Sequence, residues 1–129
     1  MNQIKERDEG SYLSGEVLRC AFRVSNALGA GFLEKVYENA LIMELRDSGI
    51  GVIQQPKVNV LYKGSVVGEY VADAIVDNRV VVEIKAVPCL NSQHESQALN
   101  YLRATGLKIA LLLNFGRPRI EYRRIVWRL

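Results

Sequence analysis

A carboxylate stands where a strand should be dry. In Val80-Val81-Val82-Glu83-Ile84 every residue but Glu83 is apolar and β-branched, the pattern of a strand buried on both faces. A carboxylate in such a run is costly unless a cation or hydrogen bonds neutralise it. Upstream, Gly68 to Val76 has the same β-branched character, and Asp77-Asn78 between the two runs is a turn signal. A hairpin with a three-residue loop at 77–79 sets Asp73 opposite Glu83; a two-residue loop shifts that register by one. Two facing carboxylates repel. A divalent metal relieves them, and Mg²⁺ takes a few carboxylates plus water and phosphate oxygens. Lys85 is two residues from Glu83 and so shares its face. It is suited to help activate a water or to stabilise charge on a phosphate. The blander alternative is a solvated Glu83–Lys85 pair with Asp73 elsewhere.

The chain of 129 residues is read as one domain, 1–129, with 1–13 as a flexible N-terminal segment. Its 49% hydrophobic and 24% charged residues suffice for a core and exclude global disorder. Cys20 and Cys89 are far apart and have no metal-ligand spacing, and His94 has no second histidine. That excludes a disulfide framework and a transition-metal site. The longest purely apolar run, Ile109 to Leu113, is too short to span a bilayer, and the polar start lacks an apolar signal region. The expectation is a cytosolic, reduced protein with no membrane partner.

Net charge is +3, unevenly spread: residues 1–48 sum to −2, residues 49–101 to −1 and residues 102–129 to +6. Arg117, Arg119, Arg123, Arg124 and Arg128 dominate the basic end. Such an end suits a phosphate-bearing partner, with the first four as candidate nucleic-acid contacts. It equally suits a solvated edge strand guarded by arginines. Aromatics suited to base stacking are few, which points away from a dedicated single-strand binder.

Periodicity orders the elements. A helix is expected over 14–28, with Val17, Leu18, Ala21, Phe22 and Leu28 on one stripe, and a second from about Phe32 to Arg46. Strands are expected over Val52–Tyr62, Gly68–Val76 and Arg79–Val87, where Pro88 stops the third. Ser92 to Glu95 reads as a capping box opening a third helix that Gly106 closes. Leu107–Leu113 and Arg119–Trp127 complete the set as strands. The order α-α-β-β-β-α-β-β predicts an α/β fold with a mixed sheet covered by helices.

Two helix faces add polar groups. On the third helix Gln97 and Tyr101 are four apart, with His94 one turn earlier. The stripe either reaches the carboxylates or is simply wet. On the second helix Glu34 and Glu38 are also four apart. Either can lean over the sheet as a third acidic ligand, or both can be solvated.

Gly31-Phe32-Leu33-Glu34-Lys35-Val36-Tyr37 fits the pattern for which the GxxExxY family is named. The resemblance continues through Gly68-Glu69-Tyr70, Ala72-Asp73, Val82-Glu83-Ile84-Lys85, His94-Glu95-Ser96-Gln97, Leu99-Asn100-Tyr101-Leu102 and Leu113-Asn114-Phe115-Gly116. That family resembles a minimal PD-(D/E)XK nuclease. The resemblance implies a restriction-endonuclease-like αβββαβ core, with a central mixed sheet flanked by helices. It implies that Asp73, Glu83 and Lys85 are catalytic, together with a Gln97–Tyr101 pair like that of RecB-like nucleases. Asp73, Glu83, the carbonyl of Ile84 and Glu34 would hold Mg²⁺ or Mn²⁺, and the reaction would be phosphodiester hydrolysis by an activated water. DNA is the expected partner. The competing reading keeps the fold as a non-catalytic module that binds nucleic acid or protein. A homodimer or a protein partner would suit so small a chain.

Overall fold

The computed structural model describes residues 3–128. Helix α1 (Gln3–Leu28) and helix α2 (Glu34–Asp47) are followed by five strands: β1 (Val52–Gln54), β2 (Lys57–Tyr62), β3 (Ser65–Val71), β4 (Ala74–Val76) and β5 (Val80–Lys85). Helix α3 (Ser92–Thr105), β6 (Ile109–Asn114) and β7 (Glu121–Val126) complete the chain. The main sheet has the order β1-β4-β5-β6-β7, and β2 and β3 form a separate two-stranded sheet. The β5–β6 pair is parallel and the other pairs in the main sheet are antiparallel. The α/β fold with a central mixed sheet flanked by helices is the one expected.

Alternation sorts the sheet's two faces. Ala74, Val76, Val80, Val82, Ile84, Leu111 and Leu113 pack against Val17, Ala21, Leu41 and Leu45 of α1 and α2. Ile75, Val81, Ala110 and Leu112 pack against Ala98 and Leu102 of α3. A two-residue period on strands covered on both sides produces this division. Glu83 and Lys85 share the parity of Val81 and therefore the α3 face.

Several expectations need correction. Helix α1 begins at Gln3, not at 14, so the segment expected to be flexible is helical from that residue on. Close packing helps: a Cβ at Gly10 would overlap the Ile109 side chain, and Ser14 Oγ donates to Gly10 O at 2.8 Å. The strand expected over Val52–Tyr62 is two strands. Gln55 adopts a left-handed backbone at φ 55°, and Pro56 has no N–H to offer a ladder. The strand expected over Gly68–Val76 starts earlier and breaks at Ala72-Asp73. Both breaks lie side by side, with Gln55 N donating to Asp73 O and Ala72 N to Pro56 O, so the β2–β3 hairpin leaves the main sheet as a unit. The cap of α3 sits one residue earlier than expected. Asn91 is the N-cap, its side chain accepting from His94 N while His94 Nδ1 accepts from Asn91 N. His94 is thus a capping residue. Gly106 closes the helix in the left-handed conformation, as expected.

Candidate active site

The three-residue loop is the one that forms. Val76 pairs with Val80 and Ala74 with Val82, so the register continues to Asp73 opposite Glu83. Asp77 and Asn78 both take positive φ, at 52° and 56°, a conformation that these two residue types tolerate. Asp73 lies just beyond the ladder and accepts a hydrogen bond from Ile84 N at 2.7 Å. Its other neighbours are negative. Burial raises the Asp73 pKa and the charges of Glu38 and Glu34 add to that, while the Ile84 bond works the other way.

Glu83 is only 7% exposed, and its Oε1 is buried with no hydrogen-bond partner. Burial, and after it the charge of Asp73, pushes its pKa up to about 8; Lys85 opposes the shift. Unsatisfied buried oxygens are rare and ask for an explanation. Lys85 Nζ reaches Gln97 Oε1 of α3 at 3.5 Å. Tyr101, one turn on, donates its hydroxyl to Val71 O at 2.7 Å. Burial and the charges of Glu83 and Asp73 push its pKa up to about 12, so it stays a donor. Asp73, Glu83, Lys85, Gln97, Tyr101 and Glu34 line one cleft of about 300 Å³, together with Tyr70, Val71, Ile84 and Asn100.

The second helix resolves its two glutamates differently. Glu34 is exposed at the cleft. Glu38 is buried and accepts from Lys35 Nζ at 2.8 Å, Gln54 Nε2 at 2.6 Å and Gln55 Nε2 at 2.9 Å. Burial opposes its charge, yet these donors prevail and its pKa is lowered. Gln54 and Gln55 gave no signal in the sequence, because their role depends on the chain break at Pro56. Among the described residues no three His, Cys, Asp or Glu side chains form a ready metal cluster. Glu34 is therefore not gathered with Asp73 and Glu83 into one. The two carboxylates and the Ile84 carbonyl still fit a hard divalent cation. The set is all oxygen, one of its atoms is buried without a partner, and water or phosphate can fill the remaining positions.

The arginines lie elsewhere. Arg123 pairs with Glu95 at 3.2 Å and Glu121 at 3.7 Å, and Arg117 with Glu121 at 4.0 Å. Arg124 turns the other way and donates to Ser11 Oγ. Arg119 is exposed in the segment before β7. None of the four lines the cleft.

A further residue missed by sequence reasoning is Asn114, wholly buried at the end of β6. Its Oδ1 accepts from Val87 N and Gly116 N, and its Nδ2 donates to Val87 O and Glu121 Oε1. It pairs in register with Lys85 and so fixes the strand end that carries the site. A buried asparagine needs this many partners, which its position in an apolar strand did signal.

The carboxylate pair of half-buried Asp73 and buried Glu83, the lysine on the same face and the glutamine and tyrosine of α3 coincide with a family match. The model of the PD-(D/E)XK nuclease superfamily matches residues 11–125. The chain belongs to the PD-(D/E)XK nuclease superfamily. Members of this superfamily generally use divalent metals, and membership supports a nuclease-like function. Among solved structures, the crystal structure of SSO0001 superimposes with a TM-score of 0.59 at 20% identity, covering 74% of this chain and 50% of that one. The shared fold is what that likeness shows, and the chain spans half the length of that relative. An alkaline exonuclease from Laribacter hongkongensis matches with a TM-score of 0.39 at 13% identity, over 82% of this chain and 75% of that one. No curated protein matches.

Proposed function

We propose that the chain hydrolyses phosphodiester bonds of DNA with Mg²⁺ or Mn²⁺ held by Asp73, Glu83 and the carbonyl of Ile84. The observation that carries this is the Glu83 oxygen, buried without a partner beside Asp73. A bound divalent cation would supply Lewis-acid activation of a water and charge neutralisation at the phosphate. The protein's own groups do the rest. Glu83 holds a proton near neutrality, which it would give up to hold a cation, so that binding would be pH-dependent. Asp73 is held in place by the Ile84 N–H. Lys85, steadied by Gln97, offers an ammonium to charge building on the phosphate. Glu34 stands at the rim, where it can meet a cation through water. Within the superfamily, the GxxExxY pattern is the narrower assignment that goes with this reading. No helix among the described residues is long and apolar enough to cross a membrane, and a cytosolic setting is part of the proposal.

Calorimetric titration of Mn²⁺ into the wild type, Asp73→Ala and Glu83→Ala tests the metal site, with cleavage of labelled DNA measured in parallel. Saturable binding lost in both variants, with Mn²⁺-dependent cleavage in the wild type, is the expected result. Nucleic-acid binding with neither metal binding nor cleavage would favour the non-catalytic module instead.

A further inference from the structure

The acidic cleft has an aromatic wall. Tyr70, near the end of β3, lines it alongside Asp73 and Glu83. Its ring meets Tyr101 of α3 edge-on, with centroids 5.6 Å apart and planes at 61°. Tyr101 is itself pinned, because its hydroxyl donates at 2.7 Å to the carbonyl of Val71, the neighbour of Tyr70. Tyr70 is therefore backed by a fixed ring, yet 50% of it stays exposed. A rigid aromatic face offers contact area at little entropic cost.

Cations are scarce at the same place. Among the described residues lining the cleft, Lys85 is the single basic one. Arg123 and Arg124 lie on β7, two strands from the β5 that carries Glu83 and Lys85, and neither lines the cleft. A duplex held by its phosphates needs a track of cations, whereas an unpaired base needs one aromatic face. The volume of about 300 Å³ is at the small end for ligand pockets.

We infer that Tyr70 is a stacking platform for an unpaired nucleobase next to the phosphate that a cation at Asp73 and Glu83 would hold, so the substrate class is single-stranded or frayed nucleic acid. This deepens the nuclease reading and rests on it. Tyr70 determines specificity, and Tyr101 positions it. The sugar is not discriminated by stacking, so the effect is the same on deoxyribose and ribose strands.

The test is equilibrium fluorescence anisotropy on the full chain with Mn²⁺ present and with cleavage-resistant phosphorothioate linkages in every probe. The probes are a short single-stranded oligodeoxynucleotide, its ribose counterpart, its blunt duplex and a fully abasic strand of the same length. The variants are Tyr70→Phe and Tyr70→Leu, checked for native circular dichroism. Expected are tighter binding of single strand than duplex by the wild type, and near wild-type binding by Tyr70→Phe. Tyr70→Leu should lose roughly 5- to 100-fold on both intact single strands and nothing on the duplex or the abasic strand. A merely structural role would lower affinity for all four probes alike, and that result overturns the inference. So does an unchanged Tyr70→Leu, or a wild type that prefers the duplex. If the wild type cleaves DNA while Tyr70→Leu binds normally, stacking falls and the nuclease reading stands. If the wild type neither binds nor cleaves any probe, both fall together.

Discussion

Glu83 reverses the usual pH behaviour of a carboxylate. Its folded pKa, near 8, is above the unfolded value, so the folded state keeps a proton that the unfolded state has lost. Stability contributed this way is present below the unfolded pKa and is lost as pH rises through the folded one. The metal-free protein should melt at progressively lower temperature from about pH 5 to about pH 8. Asp73, shifted in the same direction, adds to the slope at its acidic end. Thermal melts of Glu83→Gln should show most of that slope gone. Asp73→Asn should separate stability from chemistry. An amide oxygen still accepts from Ile84 N but carries no charge against Glu83. The expected result is an equal or higher melting temperature without metal, with cleavage lowered at least about 100-fold. A lower melting temperature would mean that Asp73 is ionised and stabilising as it stands.

Among the elements, the β2–β3 hairpin is held away from the main sheet and against α3. The Tyr101 hydroxyl on Val71 O is the bond that ties its end to the cleft. Tyr101→Phe should cost about 1 kcal/mol or less globally. Amide exchange should quicken in β2 and β3 while β5 and β6 keep their protection. The β5–β6 end is fixed differently, through Asn114 and the tight passage at Gly116. A Cβ at Gly116 would overlap the Val87 backbone, which cannot yield as a flexible side chain can. Gly116→Ala should therefore destabilise by roughly 2 kcal/mol or more, read as a lower denaturant midpoint.

At the scale of the whole molecule, cation binding couples the site to the fold. A ligand at 100 times its dissociation constant adds about 2.7 kcal/mol, which for a chain of this length is roughly 10 °C in melting temperature. Saturating Mn²⁺ should give a rise of that order. The rise should grow between pH 6 and about 8 as Glu83 yields its proton more easily, and it should vanish in Glu83→Ala. Wild-type melting that ignores Mn²⁺ across that range would remove the metal from the proposal.

The sequence by itself determined the class of fold and a hairpin around 77–79, and it left the pairing of Asp73 with Glu83 open between two registers. Strand parity is local, so Glu83 and Lys85 on one face were legible, as was Gly106 closing α3; the loop length that sets Asp73 opposite Glu83 came from the structure. The first turns of helix α1 lack an apolar stripe and so give no periodic signal, while Gly10 passes close to the Ile109 side chain. What only the tertiary structure decided is long-range. The left-handed Gln55 before Pro56 swings the hairpin off the sheet, and that puts two glutamine amides on Glu38 and brings Tyr70 into the cleft. Few aromatics in the composition pointed away from single strands; one tyrosine in the right place points toward them. Arg123 and Arg124, adjacent in sequence, face opposite sides of β7, because a strand separates neighbours that a charge count adds together.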